Sequence, residues 1–165
     1  MTRKVSLAKD KVVHADVRRA AESADAHRAA LELAALHLWG PGVDIIYDVW
    51  WSTNGEADHA EVNKRAKEFL EDGAIRTKAS KQLRPTLDLQ RAIKKRECKT
   101  VKSLVVEVGA NADVRALPSL EKLRAKGGCG FVGWSDCWPC LRGGEVNIGD
   151  AIDAVKGRAA PTFDG

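Results

Sequence analysis

No run of about 18 or more uninterrupted apolar residues occurs in the chain, so no segment reads as a membrane span and no membrane partner is expected. The opening MTRKVSLAKDKVVHADVRR is basic but lacks an apolar stretch behind it. It therefore does not read as a secretory signal, and the cytoplasm is the expected site of action. Internal repeats and low-complexity segments are both missing, which excludes a repeat architecture. Four cysteines without a signal are weak grounds for a disulfide framework, so metal binding or buried thiols are the expected uses. Acidic residues are scarce in one region. From Arg76 to Lys102 the cations are Arg76, Lys78, Lys81, Arg84, Arg91, Lys94, Lys95, Arg96, Lys99 and Lys102, and only Asp88 and Glu97 oppose them. Such a stretch suits a phosphate backbone, and it equally suits a solvated helix face.

What is present suits one globular domain, 1–165, with a substantial core: 165 residues, 44% apolar. Residues 16–39 have the three-and-four spacing of an amphipathic helix, with Asp16 as N-cap and Gly40-Pro41-Gly42 as its stop. VDIIYDVWW (43–51) is β-branched and aromatic and reads as a strand. Helices are expected at about 58–71, 86–97, from Pro118 to Lys126, and near 149–156. VKSLVVEV (101–108) and CGFVGWS (129–135) read as two further strands. The resulting order, α-β-α-α-β-α-β-α, predicts an α/β layered domain.

Two motifs carry cysteine or glycine chemistry. Gly128-Cys129-Gly130-Phe131-Val132-Gly133 matches G-x-G-x-x-G by letter. Its glycines follow a helix rather than opening one, so they read as a helix C-cap, not a dinucleotide site. Cys137-Trp138-Pro139-Cys140 is compatible with a redox pair at a helix start, but few residues follow it to complete such a fold. It is also compatible with zinc, because thiolates three apart in a first helical turn reach one tetrahedral ion. The remaining ligands are then Cys98 and Cys129, which close the site, or a histidine, which leaves a position open for water. His59, in Asp58-His59-Ala60-Glu61, is the histidine in a suggestive setting. The same residues also spell a capping box, with His59 on the apolar face of its helix.

His59-Ala60-Glu61 followed by Ser135-Asp136-Cys137-Trp138-Pro139-Cys140 resembles the zinc-dependent cytidine deaminase superfamily, and within it the bacterial toxin-type nucleic-acid deaminases. The resemblance implies a three-layer α/β/α domain with a central mixed sheet flanked by helices, in which 74–128 with its basic region is an insertion. It implies zinc held by His59, Cys137 and Cys140, with Glu61 as the proton shuttle of a hydrolase acting on a base, by default cytosine. Asn54, Trp134, Ser135, Lys94, Lys95 and Arg96 are the candidate substrate contacts. The implied partners are nucleic acid, single-stranded or with a flipped-out base, and an immunity protein if the chain is a delivered toxin domain. The rival expectation is a non-catalytic nucleic-acid-binding module with a structural four-cysteine zinc site that includes Cys98 and Cys129. A metal-dependent nuclease using Asp48 and Glu107 from two strands is a further alternative.

Overall fold

The computed structural model describes residues 7–131, 133–144 and 146–163. Part of the basic N-terminal segment, and Val132 of the third expected strand, lie outside them. The described residues form helices α1 (Lys11–Ala20), α2 (His27–His37), α3 (Trp39–Ser52), α4 (Ala60–Glu71), α5 (Gly73–Arg76), α6 (Arg84–Lys95), α7 (Cys98–Asn111), α8 (Leu117–Arg124) and α9 (Ile148–Lys156), with short 3-10 turns between some of them. Among the described residues there is no β-strand. One isolated antiparallel bridge joins Cys129 and Ser135. The expected α/β/α layering with a central mixed sheet is therefore wrong, and with it the deaminase fold.

The two longest expected strands are helices for a visible reason. VDIIYDVWW lies in α3, where Val43, Asp44, Ile45, Ile46, Tyr47 and Val49 are all buried. A helix covered on nearly every side shows no polar stripe, and its β-branched content imitates a strand. In VKSLVVEV the buried residues are Val101, Val105 and Val108, a helical i, i+4, i+7 set, while Val106 and Glu107 face outward.

The helices divide into two compact units. One lies within Met1–Ser80 and Pro161–Gly165, the other is Lys81–Ala160. In the first unit α3 packs against α2 and α4, and α1 packs on both α2 and α3. The expected 16–39 helix is broken: α1 is capped by Asp10, which accepts from the Val12 and Val13 amides, and α2 begins afresh at His27. Gly40-Pro41-Gly42 stops one helix and starts the next at once. Trp39 sits at φ +53°, a left-handed conformation that breaks the path of α2. Pro41 then falls in the first turn of α3, where a missing N–H costs nothing. Gly42 is needed for close approach, because a Cβ there would lie 1.9 Å from the Ala34 carbonyl oxygen of α2. Asn63 of α4 donates to the Trp50 carbonyl (2.7 Å) and to Thr53 Oγ1 (3.1 Å), which fixes α4 on the end of α3.

In the second unit α7 is central, packed between α6 and α9, and α8 packs on α9. Its core joins Leu89, Val101, Val105, Val108, Leu120, Leu123, Ile152 and Val155 with Trp138 and Leu141. The last two come from the cysteine-rich segment, whose helical piece among the described residues is the 3-10 turn Pro139–Leu141. None of the described helices is long and apolar enough to cross a membrane.

Candidate functional site

The cysteines decide the chemistry of the 127–142 segment. Cys98 at the start of α7 is joined to Cys140, with Cα atoms 6.3 Å apart, and Cys129 is joined to Cys137, with Cα atoms 5.1 Å apart. Both separations are ordinary for disulfides. All four thiols are used. Both zinc sites expected from the sequence draw on cysteine thiolates, and none is left to supply them. Among the described residues no group of three or more His, Cys, Asp or Glu side chains is placed to hold a metal. Zinc therefore does not fit this chain, either as the catalytic ion of a deaminase or as a structural four-cysteine ion. The redox reading fails on pairing, since Cys137 and Cys140 each bond elsewhere rather than to one another.

The other expected site residues are placed as follows. His59 stands at the N-cap of α4, half-buried, in the first unit, whereas Cys137 and Cys140 belong to the second. Glu61 is exposed in the first turn of α4 and accepts from Arg28 of α2 at 2.5 Å. The hydrogen bond and charge of Arg28 hold the Glu61 carboxyl below the usual carboxylate range. A proton shuttle working near neutrality needs the opposite displacement. No hydrolytic deaminase site is assembled here: the sheet, the metal and the shuttle's environment are all different. The nuclease alternative loses its two strands, because Asp48 lies on α3, paired with Arg18, and Glu107 is exposed on α7. Asn54 is exposed in the turn after α3, where its amide donates to the Trp51 carbonyl.

Two features of the second unit remain exposed. The first is the elbow between α6 and α7. Lys94 and Lys95 end α6, Arg96 turns the chain at φ +56°, and Glu97 precedes α7. Arg91, Lys94, Lys95, Arg96 and Lys99 are all exposed. Glu97 lies 3.6 Å from Lys95.

The second feature is the ring closed by Cys129 and Cys137. Cys129 and Ser135 exchange two backbone hydrogen bonds of 3.0 Å, and the Gly128 amide donates to the Gly133 carbonyl at 2.7 Å. Gly128, Gly130 and Gly133 all have positive φ, so the glycines that imitate a nucleotide fingerprint serve a tight ring. Phe131 and Trp134 project from it, 106% and 86% exposed. The ring rests on a clamp that sequence reasoning missed. Asp136 accepts from the Trp138 amide (2.8 Å) and from Arg142 Nε (2.7 Å). Arg142 also donates to the Leu123 and Ala125 carbonyls (3.0 and 2.9 Å), capping the end of α8. The Arg142 hydrogen bond, then that of the Trp138 amide, holds the Asp136 carboxyl below its ordinary value. The sequence signal for it is the Asp136-x-Trp138 spacing, an Asx-type turn. No family model, curated protein or solved structure matches the chain.

Proposed function

We propose that the second unit binds the backbone of nucleic acid through the α6–α7 elbow. One observation carries this reading: the elbow holds cations where local structure disfavours them. Lys94 and Lys95 complement the negative end of α6 and need no further explanation. Lys99 does not fit that account. It lies in the first turn of α7, which carries no acidic residue and where the helix dipole opposes a positive charge. Arg96 adopts a left-handed conformation that glycine adopts at lower cost. Residue choices that cost local stability mark a surface used for something else. Exposed cations gathered at one elbow attract phosphates and release their counterions.

Nucleic acid as target keeps the cytoplasm as the proposed site of action. The paired cysteines add an oxidising stage at which they form. The immunity partner rested on the toxin resemblance alone and is not proposed.

Replacing Lys94, Lys95 and Arg96 together by glutamine should weaken binding to a single-stranded oligonucleotide. It should also flatten the dependence of log K on log salt by about 2, from roughly 0.7 for each phosphate no longer neutralised. Titrations at several salt concentrations read both quantities. Unchanged affinity and slope would show the elbow to be a solvated surface only.

A further inference from the structure

We propose that the Cys129–Cys137 ring is a docking loop for an anionic lipid surface, with Phe131 and Trp134 entering the bilayer interface. The two side chains are the most exposed large apolar groups among the described residues of the second unit. A disulfide, the paired backbone of Cys129 and Ser135, and the Arg142–Asp136 clamp all hold the ring. Immediately behind it, Trp138 is buried in the core and Cys140 is tied to α7. A braced support that presents two rings to solvent is built for a partner that takes them up.

Charge distribution selects the partner. Residues 127–135 carry no charged side chain, whereas Lys122, Arg124 and Lys126 stand just before them. Arg124 is paired with Glu121 at 2.5 Å, and Lys122 and Lys126, the other two cations just before the ring in sequence, are exposed. Asp136, the first carboxylate after it, is held by Arg142. An uncharged aromatic tip above a cationic base matches a bilayer, where tryptophan favours the interface and lysine the anionic headgroups. A protein partner of standard size covers about 800 Å² per side, more than two side chains on a small ring supply. Such a loop escapes a search for long apolar runs, which detects spans and not surface contact.

The test is sedimentation of the intact, oxidised chain with vesicles of phosphatidylcholine, with and without phosphatidylglycerol. Binding is expected only where phosphatidylglycerol is present. Phe131→Ser with Trp134→Ser should lower it at least about tenfold, as loss of the inserted apolar groups requires. Lys122→Gln with Lys126→Gln should remove most of the phosphatidylglycerol dependence. Both rings lie outside the core, so the aromatic variant should keep wild-type helix content, checked by circular dichroism. Absence of binding to either vesicle would overturn the proposal, as would vesicle binding that the aromatic variant leaves unchanged. An aromatic variant that loses oligonucleotide affinity, with no vesicle binding by wild type, would overturn it in favour of base stacking. The Lys94, Lys95 and Arg96 variant should bind vesicles like wild type, so the failure of either proposal can be told from the failure of the other.

Discussion

Replacing Cys98 and Cys140 together by serine is expected to cost the second unit about 4 kcal/mol. The bond closes a loop with a sequence separation of 42. In the chain-entropy account a loop of that size contributes about 4 kcal/mol by restricting the unfolded chain. The folded side adds to the effect. Cys140 lies in the 3-10 turn that carries Leu141 into the core next to Trp138, and its partner is the first residue of α7. Without the bond, a segment with little secondary structure of its own must hold two core side chains in place. Urea unfolding followed by circular dichroism measures the change, against a total that is only about 5–15 kcal/mol for an ordinary domain. The Cys129→Ser, Cys137→Ser pair, with a separation of 8, should cost less, about 2.5 kcal/mol. If the Cys98 and Cys140 replacements leave the unfolding midpoint in place, the bond is not a structural element of the folded chain.

Asp113→Ala is expected to destabilise the second unit by a comparable amount, about 3–5 kcal/mol, because it removes the carboxylate from a buried ion pair. The Asp113 and Arg115 side chains are 1% and 9% exposed. Their contact is two-pronged: Arg115 Nε lies 2.9 Å from Oδ1 of Asp113, and a terminal guanidinium nitrogen lies 2.6 Å from Oδ2. Asp113 also accepts from the Arg115 amide at 3.1 Å, which starts the 3-10 turn Val114–Ala116. The neighbourhood is equally committed. Arg158 donates to the Gly109 and Ala112 carbonyls at the end of α7, and its own carbonyl accepts from the Val114 amide. Removing the carboxylate thus strips a cap and an ion pair from the junction that binds the end of α9 to the end of α7. Combining Asp113→Ala with Arg115→Met should recover a large part of the loss, since the buried guanidinium goes with it. A single variant as stable as wild type, or a double variant worse than the sum of its parts, would contradict this assignment. Chemical denaturation of wild type, Asp113→Ala, Arg115→Met and the double variant decides it.

These residues show where the sequence could be read and where it could not. The helices at α4, α6, α8 and α9 stand close to where periodicity, Pro118 and the polar caps predict them. The misread elements share one cause. Buried helices such as α3 lose the polar face that marks a helix, so their valines, isoleucines and tryptophans imitate a strand. For α7 the decisive spacing was present, at Val101, Val105 and Val108, but the β-branched composition outweighed it. The candidate site failed for a different reason. Metal ligation and disulfide pairing draw on the same residues, and only three-dimensional proximity separates them. The spacing of Cys137 and Cys140 invited one ion, while their true partners lie 8 and 42 residues away. Once the thiols are paired, the match of His59 and Glu61 to a catalytic motif loses its metal. What remains legible is the basic stretch, whose elbow is exposed as its charge suggested.

The pairing of the cysteines is the point on which the whole account turns, and it can be measured directly. The purified, unreduced chain is denatured in the presence of an alkylating reagent, digested, and its peptides weighed before and after reduction. The account predicts no alkylated cysteine before reduction, and cross-linked peptides joining Cys98 to Cys140 and Cys129 to Cys137. Four alkylated thiols in a chain that carries stoichiometric zinc when isolated would contradict it and restore a metal site.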